Sequence, residues 1–186
     1  MASTVMGPRG SPGHSARRIL ALAVSVYLLD QVTKLLVLRF LGLQQEHDVI
    51  PGFFKFVHWG NTGAAWSLFR HNNHVLALIS AVAMVALWIF RRHFEADRPV
   101  GQVALGLLFG GIAGNLTDRV LPARQHVIDF LRFYLVPREG GEMGFPAFNV
   151  ADTAICIGVG LILLLSWQAD LPSASRTGSE RLGPRG

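Results

Sequence analysis

Four long apolar runs constrain this chain more than any other feature. They span residues 19–41, 75–90, 100–116 and 150–167. A helix needs about 20 apolar residues to cross a bilayer, and each run is near that length. The expected fold is an α-helical integral membrane protein: four transmembrane helices with a small extracytoplasmic β-sheet. The first run resembles a signal peptide in character, but it is too long and no small-residue cleavage site follows it. It reads as a retained helix. The overall hydrophobic content of 51% barely exceeds a soluble average, so the clustering decides the class. Residues 1–16 and 169–186, rich in Gly, Ser and Pro, are expected to be disordered tails around one domain, 17–168.

Four spans place both termini on one side. Arg17, Arg18, Arg91, Arg92, Arg98, Arg176, Arg181 and Arg185 mark that side as cytoplasmic, although Arg70, Arg119, Arg124, Arg132 and Arg138 lie on the other. The net charge of +5 fits arginines facing anionic lipid, and no nucleic-acid-binding motif accompanies it. The single cysteine, Cys156, excludes an internal disulfide and reads as core packing. In the third run, Gly106, Gly110 and Gly114 recur every four residues, with Gly111 beside them. Such a strip lets another helix approach closely.

Two outer loops connect the spans. In the first, Phe53 to Trp59 is aromatic and β-branched, as an interfacial strand would be. Gly60-Asn61 is expected to turn it back into a strand over residues 62–69. In the second, residues 127–136 alternate as a strand with Asp129 on the face of Val127, Leu131, Phe133 and Leu135. Residues 137–142 form a polar turn.

Polar side chains inside apolar runs need a reason. Asp30 and Lys34, four apart on one helical face, suit a mutual pair near the outer end of the first span. Asn115, Asp118 and Arg119 close the third span as a polar cluster, with Asp118 beside a permanent cation. Asn115 and Arg119 are also placed to donate to a bound backbone carbonyl. Asn149 and Asp152 have the spacing of an N-cap and the third residue of a helix. Asp152 therefore has two readings: it starts a helix, or it works with Asp129, a second acid with no cation beside it in sequence.

Two carboxylates a few Å apart cannot both ionise, so one keeps a proton. The helix N-terminus favours Asp152 as the anion, and apolar neighbours favour Asp129 as the acid. Such a pair can activate water against an amide carbonyl without cofactor, metal or covalent intermediate. Other chemistries lack their residues. The histidines have no zinc spacing, Ser67 has no nucleophile elbow, and no phosphate-binding glycine loop is present. Two further functions also fit intramembrane acids or a glycine strip: an ion or proton pathway and a non-catalytic assembly module.

Five motifs occur in order: Asp30-Gln31-Val32-Thr33-Lys34, Asn61-Thr62-Gly63-Ala64-Ala65-Trp66-Ser67, Gly110 to Arg119, Val127-Ile128-Asp129-Phe130, and Phe148-Asn149-Val150-Ala151-Asp152. Over residues 19–167 the chain resembles bacterial lipoprotein signal peptidase, signal peptidase II. The resemblance implies an intramembrane aspartic endopeptidase of the bacterial inner membrane, acting on its extracytoplasmic side. It implies cleavage of diacylglyceryl-modified prolipoproteins just before the lipidated cysteine. It also implies Asp129 and Asp152 as catalytic acids, with Asp30, Lys34, Asn61, Gly63, Asn115, Asp118, Arg119 and Asn149 binding substrate or supporting the site. Prolipoproteins and membrane lipids are the implied partners. All motifs fit in one chain, so a monomer is expected. The connection between the two acids is longer than the resemblance implies, because it holds a polar insertion over residues 137–144.

Overall fold

The computed structural model describes residues 12–63, 72–94 and 96–170. Four helices form: α1 (Pro12–Phe40), α2 (Asn73–Phe90), α3 (Pro99–Val120) and α4 (Val150–Asp170). Each is long and apolar enough to span a membrane. Helix α1 starts at Pro12, inside the stretch expected to be disordered. Proline's fixed φ suits a first helical turn, and Ser15, which accepts a hydrogen bond from Gln102 at 3.0 Å, is buried there. The remainder of both expected tails, and residues 64–71, lie outside the described residues.

Helix α3 is the hub. It buries half of its most apolar window, against 11–22% for the other three. Its small residues explain this. A Cβ on Gly110 would stand 2.6 Å from the Ala23 carbonyl oxygen of α1, and one on Gly111 2.6 Å from that of Ala151 in α4. The glycine strip thus packs within the chain, between α1 and α4. Cys156 corrects the core reading: it lies exposed on α4. A span that is apolar all round does not reveal in sequence which face meets protein and which meets lipid.

A four-stranded antiparallel sheet sits where α1 and α3 end and α2 and α4 begin. Its strands are β1 (Glu46–Ile50), β2 (Phe54–Asn61), β3 (Val127–Leu135) and β4 (Met143–Gly144), in that order. Gly60-Asn61 is not a turn. Both residues belong to β2, opposite Ile128 and Val127. The turn is Pro51-Gly52, where Gly52 takes φ +79° and β1 runs back along β2. The expected returning strand, 62–69, leaves the described residues after Gly63.

The strands present two unlike faces, as period-two alternation requires. Phe54 stands opposite Phe133 with ring centroids 4.9 Å apart, and Phe133 stacks on Phe148 at 6.0 Å. Across the sheet, Lys55 bonds Glu46 and Glu142 and lies 4.5 Å above the Tyr134 ring.

Candidate active site

The site forms where β3 meets the first turn of α4. Val127 to Phe130 are all buried, so Asp129 is carried into the interior by its strand. Leu131 and Phe148 then pair as an isolated bridge, which brings the residue before α4 onto β3. Asn149 follows and is fully buried. Its Oδ1 accepts from the Asp152 backbone N–H at 2.8 Å, and its own N–H donates to Asp152 Oδ2 at 3.3 Å. That is a reciprocal capping box. The same side chain donates from Nδ2 to Asp129 Oδ1 at 2.8 Å. The two readings of Asp152 are therefore compatible: the residue that caps α4 also links its acid to Asp129.

Three asparagines face the two carboxylates, and each amide is oriented from behind. Asn61 accepts from the Gly63 N–H at 2.9 Å, which leaves Nδ2 to donate to Asp129 Oδ2 at 2.9 Å. Asn149 is fixed by its cap. Asn115 accepts from the Lys34 ammonium at 3.0 Å and donates to Asp152 Oδ1 at 2.7 Å. An amide so oriented presents a donor to an anion with no net charge of its own. Burial first, and the charge of Asp152 second, push the Asp129 carboxyl up to about 7. The bonds from Asn61 and Asn149 and the charge of Lys34 oppose that rise.

Behind the amides lies a different arrangement. Lys34 meets Asp30 Oδ2 at 2.8 Å and Asp118 Oδ2 at 2.7 Å, with all three side chains fully buried. With Asn115, these satisfy the three donors of the ammonium. Asp30 also accepts from the Ala151 N–H at 3.0 Å, so the i,i+4 pair supports α4 as well as α1. The cations on Asp118 are Lys34 and Arg124, not its sequence neighbour Arg119. Arg119 faces the other way and donates to the Gly63 carbonyl at 2.8 Å and to Asn73 Oδ1 at 3.0 Å. Its guanidinium thus ties the backbone at Gly63 to the start of α2.

All ten residues singled out in the sequence lie in this connected region. Three partners were missed there. Gln31 bonds Asp30, the Gly114 carbonyl and Arg124; Asn73 bonds Arg119; Arg124 bonds Asp118. Asn73 is the first residue of α2, one past its N-cap Asn72, and spends its side chain on Arg119, which no local pattern announces. Arg124 was legible only as a flanking charge.

The molecule is thus a polytopic membrane protein with a buried polar site beneath a small sheet. The family model described as signal peptidase (SPase) II matches residues 22–168. A lipoprotein signal peptidase of Symbiobacterium thermophilum is 39% identical over 145 residues, covering 78% of this chain and 91% of the relative. One from Geobacter metallireducens is 41% identical over 151 residues, covering 79% and 89%. A bacterial membrane enzyme solved by the in meso method at 2.3 Å superimposes with a TM-score of 0.72 at 30% identity, covering 96% of this chain and 99% of that one. A second, at 1.9 Å, gives 0.65 at 31% identity over 87% and 97%. The chain belongs to the signal peptidase II family. Its activity is accordingly that of a membrane peptidase.

Proposed function

We propose that the chain releases signal peptides from prolipoproteins by aspartate-pair hydrolysis, cutting just before a diacylglyceryl-modified cysteine. The observation that carries this reading is Asn149, one buried residue that donates to both acids, to Asp129 from its side-chain amide and to Asp152 from its backbone N–H. Asp152, in the first turn of α4, is the anion and takes a proton from water as the water oxygen attacks the scissile carbonyl. Asp129 holds the shared proton and donates a hydrogen bond to the developing oxyanion. The C–N bond then breaks, and the proton taken from water passes to the leaving nitrogen. A lipid-anchored cysteine would hold its peptide bond at the membrane surface, level with this pair.

The site end faces away from the cytoplasm. Arg119, Arg124 and Arg132 at that end are engaged by Gly63 and Asn73, by Asp118, and by Glu142. Arg39 and Arg138 are exposed at that end, and Arg17, Arg18 and Arg92 are exposed next to the spans at the other, as cytoplasmic flanks would be.

The test is processing of a lipid-modified prolipoprotein by purified Asp129→Asn and Asp152→Asn variants. Each is expected to lose activity by about 10²- to 10⁴-fold while inserting normally. Turnover near the parent rate by either would remove that acid from the mechanism. Ion flux through vesicles bearing the parent protein would favour the pathway reading instead.

A further inference from the structure

The insertion between the two acids does more than lengthen a loop. Glu142 reaches across the sheet to Lys55, with both carboxylate oxygens 2.8 Å from the ammonium, and to Arg132 at 3.0 Å. Lys55 is almost wholly buried and is also held by Glu46. Directly after Glu142 the chain is bonded onto β3 step by step. Met143 pairs with Leu135 and Gly144 with Tyr134. Phe145 then donates its N–H to the Phe133 carbonyl at 3.0 Å. Phe148 exchanges hydrogen bonds with Leu131 at 2.9 and 3.0 Å, and its carbonyl also accepts from Phe130. The next residue is Asn149. The stretch 142–149 is thus a ledge with one fixed end at Lys55 and Arg132, and the residue that orients both acids at the other.

We infer that Glu142 is a positioning residue for the reaction: its ion pair with Lys55 and Arg132 sets the place of Asn149 through the β4–Phe148 ledge. This inference rests on the aspartate-pair reading. Misplacing reacting groups by about 1 Å costs on the order of 100-fold in rate, so a modest slip of the ledge is enough to matter. Gly144 acts at the same place from another direction. A Cβ there would stand 2.6 Å from the Phe133 carbonyl oxygen and 2.9 Å from the Tyr134 Cβ, so Gly144→Ala lifts the ledge without touching a charge.

The experiment measures kcat, KM and the pH profile of kcat on a lipid-modified prolipoprotein, with thermal midpoint as a control. Glu142→Gln is expected to lower kcat roughly ten- to hundredfold with little change in KM. It is also expected to move the alkaline limb upward, because Asp129 loses part of the donation from Asn149. The other groups that act on Asp129, the amide of Asn61 and the charges of Lys34, Arg119 and Asp152, are not altered by the substitution. Gly144→Ala gives the same signature, and so does Lys55→Met, whose effect does not add to that of Glu142→Gln. Glu139→Gln, in the same insertion and without a partner among the described residues, changes nothing. An unchanged kcat in a folded Glu142→Gln protein overturns the inference, as does a rise in KM alone. If Glu142→Gln does not fold, a normal pH profile in Gly144→Ala overturns it. Activity in Asp129→Asn would instead overturn the aspartate-pair reading itself.

Discussion

Two groups of buried acids sit side by side, and the fold treats them oppositely. Asp30 and Asp118 are fully buried and are met by Lys34 and Arg124. Asp129, buried at 4% exposure, and the part-buried Asp152 are met by asparagines, and neither forms an ion pair among the described residues. A paired buried acid is a structural element, and removing its cation leaves an uncompensated charge. An acid held by neutral donors keeps its charge problem unresolved, so the pair is left to share a proton. The same residue type, at similar depth, thus becomes a strut or a reactive group according to the charge of its donors. Lys34 joins the two regions, since the acceptor it holds on Asn115 turns that amide's donor toward Asp152.

The contrast breaks most visibly at Lys34. Lys34→Met leaves the fully buried Asp30 without a cation and Asp118 with Arg124 alone, and should destabilise the protein by about 3–5 kcal/mol. Asp129→Asn, which puts a neutral amide in place of the acid that holds the shared proton and strands no cation, should leave the thermal midpoint unchanged or raise it while abolishing processing. Thermal unfolding in one detergent compares the two directly. If Lys34→Met unfolded at the parent temperature, the inner cluster would not be the structural half of the comparison.

The sequence carries one side of this contrast better than the other. Spans and acids were legible because charge inside an apolar run is conspicuous: Asp30, Lys34, Asp118 and Asp152 all stand out that way. The strand bearing Asp129 was legible from its alternation. Partnerships were not. Nothing local to Asp118 says that its cations are Lys34 and Arg124, since both approach from other segments. Strand β1 escaped notice because Glu46-His47-Asp48 has the composition of a loop. Its pairing with β2 depends on the positive φ of Gly52. The exposed face of α4 with Cys156 was hidden for a different reason: lipid and protein ask for the same side chains.

The pH dependence sharpens the comparison on its reactive side. Asp129 holds its proton until pH passes about 7, so turnover that needs a protonated Asp129 should fall as pH rises through that value. Asn61 donates to the ionised form and holds this value down. Asn61→Ala removes that donor and should move the alkaline limb upward. A hydrogen bond to a charged group is worth about 1.5–3 kcal/mol, so the displacement should be about one to two pH units. The profile of kcat measures it. A limb that stayed in place, or moved down, would mean that another group sets it.

The smallest effects test how the two regions are packed together. Gly106 and Gly111 lie on the same helix, yet a methyl group meets different neighbours. On Gly106 it would press on the Leu22 Cβ, 2.8 Å away, which yields only if α1 shifts, at a point remote from the acids. On Gly111 it would press on the Ala151 carbonyl oxygen at 2.6 Å, and α4's first turn cannot yield without moving Asp152. Overpacking costs about 1–3 kcal/mol, and Gly106→Ala should fall within that range with processing intact. Gly111→Ala should lose more stability and, in addition, turnover. Equal loss of turnover in both would show that α3 transmits strain along its whole length. Loss in Gly111→Ala alone would locate the sensitivity at the first turn of α4, beside the shared proton.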